Sequence, residues 1–174
     1  MGSAFKERLN SLYAAFRFGN TKFLLEAFDE DIEFVSYSPQ DAFPFLGHHR
    51  GKAAMENVLK AGYAEFEFVT YEPVFMVCEG EDAAVIIFAR MVHRSTRRSI
   101  QTMIAHFLRF RGRQIVELRE FMDSFGAVEQ MLGHKIAIIN SVAQMPRADV
   151  TVMLQTAWSA FAEKPALDRS SAAS

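Results

Sequence analysis

A single cysteine, Cys78, stands among 174 residues. No intrachain disulfide framework can be built on it, and a reducing, cytoplasmic setting is expected. Cys78 lies in "VFMVCEG" beside apolar residues, where it reads as packing. An excess of either charge is lacking too. The formal net charge is −2, which offers neither a footprint for nucleic acid nor a polybasic patch for a membrane. The sole basic cluster, "HRSTRRS" at 93–99, sits between two strand-like runs and reads as a solvated hairpin tip. No apolar run is long enough to span a bilayer, and no secretory segment opens the sequence. The opening "MGSAFK" lacks the Ser or Thr that a myristoylation signal carries at its sixth position. No metal-ligand spacing, phosphate loop or nucleophile elbow occurs, so no metal or redox cofactor is expected. "GHHRG" at 47–51 is too local for its histidines to converge on an ion.

What the sequence has in quantity is apolar surface. Half of it is hydrophobic and seventeen residues are Phe. A chain of this length is expected to form one domain with a real core. Its rings can line a cavity as well as fill that core.

Residues 4–18 carry Phe5, Leu9, Leu12, Tyr13 and Phe16 at helical spacing, stopped by Gly19-Asn20. Thr21 is expected to cap a second short helix, and "DIEFVSYS" (31–38) reads as a strand. The stretch 39–51, with two prolines and two glycines, reads as a loop whose Phe43, Pro44 and Phe45 are placed to cover a cavity mouth or simply to pack. A third helix is expected at about 51–66. Four strands follow, at 68–78, 82–94, 99–110 and 114–123, joined by connections of hairpin length. A short helix at 124–132 ends the pattern. This order predicts an α+β fold, a curved antiparallel sheet with helices on one face, over residues 1–133. Residues 134–163 read as a helical extension of two helices. The second has an apolar stripe containing Trp158 and Phe161, expected to pack on a dimer partner or to cap the cavity. Residues 164–174 read as a disordered tail.

Three strands repeat one oddity, a lone polar group on an apolar face. Alternation puts Arg90 with Ile86, Phe88 and Val92. It puts His106 with Ile100, Thr102, Ile104 and Leu108, and Glu120 with Val116, Leu118 and Met122. The turns near 95–98 and 111–113 are expected to pair Arg90 and Glu120 with the same Ile104, about 9.6 Å apart across two strand spacings. A charge facing hydrocarbon is costly unless paired. Two readings make sense of it: a structural ion pair with His106 hydrogen-bonded nearby, or the polar end of a ligand pocket with Glu120 as acid or base. A different register would leave all three at the sheet edge. The pocket reading takes Glu120, His106 and Arg90 as catalytic. Its walls are then Tyr13, Phe34, Ser36, Phe88, Val92, Thr102, Ile104, Leu118 and Met122, around a small hydrophobic ligand or substrate. A binding module without turnover, or an assembly subunit using the outer sheet face, remains open beside it.

The order of elements, "FLGHHRGKAAMENVL" before the third helix, and above all "GRQIVELREFMD" resemble the SnoaL-like branch of the nuclear-transport-factor-2-like superfamily over about residues 4–133. Its members include polyketide cyclases, ketosteroid isomerases and limonene epoxide hydrolase. The resemblance implies a cone-shaped fold around one deep apolar pocket, commonly in a homodimer, and cofactor-independent isomerase, cyclase or lyase-like chemistry. Where the epoxide hydrolase carries Arg-x-Asp, this chain has Arg90-Met91-Val92, so the base for water is missing. The first-strand Asp of the isomerases is replaced within Ser36-Tyr37-Ser38. The carboxylate and histidine of the cyclases have counterparts in Glu120 and His106.

Overall fold

The computed structural model describes residues 2–137, with side chains from residue 5 onward. The stripe of Phe5, Leu9, Leu12, Tyr13 and Phe16 forms α1 (Gly2–Arg17), which packs on the long third strand. Gly19 ends it with φ 69°, letting Asn20 N–H reach the Ala15 carbonyl at 2.8 Å and Gly19 N–H the Phe16 carbonyl at 3.0 Å. That is a Schellman closure, and it needs a residue tolerant of positive φ. Asn20, rather than Thr21, then caps α2 (Thr21–Ala27), its side chain accepting from Phe23 N–H.

The strands are β1 (Phe28–Ser36), β2 (His48–Arg50), β3 (Phe66–Glu79), β4 (Asp82–His93), β5 (Ser99–Arg111) and β6 (Gln114–Met122), with α3 (Lys52–Glu65) before β3 and α4 (Ser124–Leu132) at the end. They form one curved, unclosed sheet in the order β2-β1-β6-β5-β4-β3. The expected antiparallel meander is its larger part. β1 runs parallel to β6, which makes the sheet mixed. The segment read as loop contributes the three-residue β2, antiparallel to β1.

Register is where expectation and structure part. β5 and β6 pair His106 with Glu120 and Ile104 with Met122, two residues away from the expected match. A bulge at Arg109/Phe110 supplies one residue of that shift, leaving Val116 out of the ladder and Ile115 buried. β4 and β5 pair Ile87 with Ile104 and Val85 with His106. The connecting loop sets this: His93 N–H donates to the Arg98 carbonyl at 2.9 Å, and Arg97 takes φ 60° inside the turn. An odd shift in register moves every side chain of a strand to the other face. The buried face of β4 is therefore Ala83, Val85, Ile87, Ala89 and Met91, and Arg90 is exposed. Arg90 is not the partner of Glu120. Phe88 and Val92 share its outer face and are not cavity lining.

The basic loop between β4 and β5 does more than meet solvent. Arg98 donates to the Met131 and Leu132 carbonyls at the end of α4, and Arg94 to the Tyr63 carbonyl near the end of α3. Cations at carbonyl-rich helix ends are favourable. Cys78 is a free thiol, partly buried against the core. The stripe bearing Trp158 and Phe161, and the tail, lie outside the described residues.

Candidate functional site

Four strands place one row of side chains on the buried face. Ser36 of β1 is the register partner of Glu120 on β6, Glu120 of His106 on β5, and His106 of Val85 on β4. Adjacent strands lie about 4.8 Å apart, so the polar three are held within reach by backbone pairing alone. Ser36 Oγ lies 2.9 Å from Glu120 Oε1, and His106 Nε2 lies 3.1 Å from Oε2. Tyr13, from α1, reaches the other imidazole nitrogen, with its hydroxyl 3.2 Å from His106 Nδ1. Ser38 lies 3.1 Å from Ser36 Oγ.

Proton counting orders this network. Ser36 has one hydroxyl hydrogen, so donation to Oε1 makes Ser38 the donor to Ser36. A carboxylate at Glu120 takes the proton of Nε2, which leaves Nδ1 to accept from Tyr13 O–H. Every member is satisfied. No buried side-chain nitrogen or oxygen among the described residues lacks a partner while being shut off from open space. This answers why a carboxylate stands on the apolar face of β6: Glu120, 9% exposed, accepts at both oxygens.

The network forms one wall of a cavity of about 140 Å³. The rest is hydrocarbon and rings, including Phe34, Phe43, Ile104, Leu118 and Met122, with Tyr13 and Tyr71 as the hydroxyl-bearing exceptions. Tyr13, Phe34, Ile104, Leu118 and Met122 thus sit where the sequence placed them. Ser36 lies behind Glu120, and Thr102 is buried with its hydroxyl turned to the Met103 and Asp123 carbonyls. Phe43 and Phe45 both line the cavity, and Phe43 is fully in the core. Tyr71 and Ser38 were missed; for Tyr71 the usable signal was Pro73, which marks irregular pairing in its strand. Among the described residues no three His, Cys, Asp or Glu side chains converge as metal ligands. No described helix is long and apolar enough to cross a membrane.

Burial pushes the Tyr13 and Tyr71 hydroxyls well above the ordinary tyrosine range, with the Glu120 charge adding to it, and burial alone raises Tyr63. All three favour the neutral phenol in the folded state. The stability this contributes is complete below the unfolded value of about 10 and is lost as pH rises above it toward the raised folded values. In an alkaline titration the phenolate absorbance of these residues is expected to appear together with loss of circular dichroism. Ionisation of all tyrosines ahead of unfolding would contradict it.

Residues 9–118 match the model of the SnoaL-like domain. The chain belongs to this family. Solved structures agree. A candidate isomerase from Rhodopseudomonas palustris is 29% identical, with TM-score 0.66, covering 71% of this chain and 91% of that one. A nuclear-transport-factor-2-like protein from Burkholderia xenovorans LB400 is 28% identical, with TM-score 0.59, covering 68% and 88%. IdmH from Streptomyces antibioticus, described as a candidate polyketide cyclase, shares the fold at 21% identity, with TM-score 0.61, covering 72% and 96%. A search of the curated proteins gave no match. The SnoaL-like family supplies the frame, and the Ser36–Glu120–His106–Tyr13 network is what this member builds in it.

Proposed function

We propose that this SnoaL-like protein is an enzyme that moves protons on a small hydrophobic substrate, an isomerase, cyclase or lyase-like catalyst needing no metal or redox cofactor. The observation that carries the reading is Glu120. Among the described residues it is the one carboxylate lining a cavity that is mostly hydrocarbon and rings, and it is held at both oxygens by Ser36 and His106. A positioned carboxylate in a dry site is suited to taking a proton from carbon and returning it elsewhere. His106 and Ser36 act as positioning residues, and Tyr13 fixes the imidazole tautomer.

The test is solvent-deuterium incorporation into a panel of small apolar ketones, followed by NMR. The enzyme reading expects exchange that depends on Glu120. A non-catalytic binder takes up the same ketones without exchange, and that outcome would replace the reading.

A homodimer belongs to the same proposal. The outer sheet face exposes Phe75, Met103, Phe107 and Phe121, and Phe107 meets Phe121 edge-on at 5.8 Å. Clustered exposed rings are the usual mark of a surface that is covered. Phe107→Glu is expected to convert a dimer to monomer in light scattering while the circular dichroism spectrum is kept. A monomeric wild-type protein would remove the dimer from the proposal. A cytoplasmic setting completes it, supported by the single free thiol.

A further inference from the structure

Of the four tyrosines, three have hydroxyl partners: Tyr13 with His106, Tyr63 with the Phe16 carbonyl and Tyr37 with Arg119. Tyr71 has none among the described residues, although the residue is only 4% exposed. Its oxygen is not sealed away from open space, and the residue lines the cavity. The ring is held firmly. Phe16 lies 4.3 Å and Phe68 5.7 Å from it, centroid to centroid. It sits 6.1 Å from the Tyr13 ring and 6.5 Å from the His106 ring, beside the polar wall.

A phenol oxygen that reaches open space without a protein partner is free to bond a molecule in the cavity. We infer that Tyr71 is a ligand-contacting residue whose hydroxyl donates a hydrogen bond to an oxygen of the bound molecule. The cavity limits that molecule further. Its volume of about 140 Å³ is close to that of cavities that take up benzene, so about one six-membered ring fits inside it. No lysine or arginine lines it among the described residues, so an anion would be stripped of water without a counter-charge. Each Glu120 oxygen accepts one hydrogen bond and keeps a lone pair for the ligand's proton. The ligand is thus not an anion, seats about one ring in the cavity, and carries an acceptor oxygen placed by Tyr71 near Glu120. This rests on the proposed proton-transfer site for its chemistry, but the contact itself does not require turnover.

Two probes of matched shape separate these claims. Cyclohexanone has the acceptor oxygen and methylenecyclohexane does not. Affinities of both for wild type and Tyr71→Phe, by NMR titration, form a double-mutant cycle. Tyr71→Phe is expected to weaken cyclohexanone about 5- to 10-fold and to leave methylenecyclohexane within about 2-fold. The melting temperature should stay level or rise, because the lost hydroxyl has no partner; a drop would assign it a structural role and overturn the inference. Equal effects on both probes, or no effect on either, would also overturn it, as would wild-type protein that does not bind cyclohexanone. Deuterium exchange is scored separately. A positive cycle without exchange keeps Tyr71 and removes the enzyme reading; exchange with a null cycle does the reverse.

Discussion

Glu120→Gln should lower exchange or turnover by ~10²-fold or more while the protein keeps its fold. The substitution preserves shape and removes the basic oxygen. The surroundings can adapt to the amide. Its oxygen still accepts from Ser36, and its NH2 group donates to His106 Nε2, lying where Oε2 lies now at 3.1 Å. The imidazole then moves its proton to Nδ1 and donates to the Tyr13 oxygen, so each group keeps one partner, and only the Tyr13 hydrogen and the second amide hydrogen lack an acceptor. A loss of activity with an unchanged denaturation midpoint is therefore the chemical signature. Retention of full activity in Glu120→Gln would sink the catalytic assignment. Joint loss of fold and activity would mean that the Glu120–His106 contact is structural.

The largest stability effect is expected from His106→Leu. Leucine fills much of the space yet abandons Glu120 Oε2 on one side and the Tyr13 hydroxyl on the other. Each unsatisfied buried group costs about 1–3 kcal/mol, and stranding one member of a buried pair about 3–5 kcal/mol. The expectation is a loss of about 3–5 kcal/mol in urea denaturation. The network also predicts a coupling. Tyr13→Phe removes a bonded hydroxyl from the wild type, at about 1 kcal/mol, but an already orphaned one from His106→Leu. In that background it should cost nothing or help. Additive effects of the two substitutions would show that the two side chains act independently, against the chain of bonds described above.

The inner faces of β1, β5 and β6 were legible because each keeps a strict alternation through the site. Phe34 and Ser36, Ile104 and His106, and Leu118 and Glu120 all fall on the buried side. The helices were legible from their stripes, with ends displaced by a residue or two. β4 was misread because both of its faces are apolar: Ile86, Phe88 and Val92 look as suited to a core as Val85, Ile87 and Met91. Alternation alone cannot choose between such faces, and the one that would give Arg90 a partner is the one the fold leaves outside. The parity lives in the loop, in the His93–Arg98 pairing and the positive φ of Arg97, which no periodicity reveals. Tyr71 was hidden by irregular pairing on β3, whose register breaks at Phe68/Thr70 and again at Pro73/Phe75. Each break reverses which residues turn inward, so the buried series runs through Phe66, then Tyr71, and then the half-buried Met76 and Cys78.

The parallel pairing of β1 with β6 also bears on how the site comes into being. The meander of β3 to β6 closes through short hairpins and can form from neighbouring contacts. Ser36 and Glu120, however, are 84 residues apart in sequence and Tyr13 and His106 are 93 apart. Joining them carries a loop-closure entropy that local contacts do not repay in advance. The expected order is an early meander carrying Glu120 and His106 on an uncovered face, with β1 and α1 docking late. Their arrival covers that face and supplies the two hydroxyl groups in the same event. A nascent chain or truncated fragment lacking either end would then hold the carboxylate and the imidazole in a wet, unformed groove. The appearance of the finished site would thus time the last step of folding.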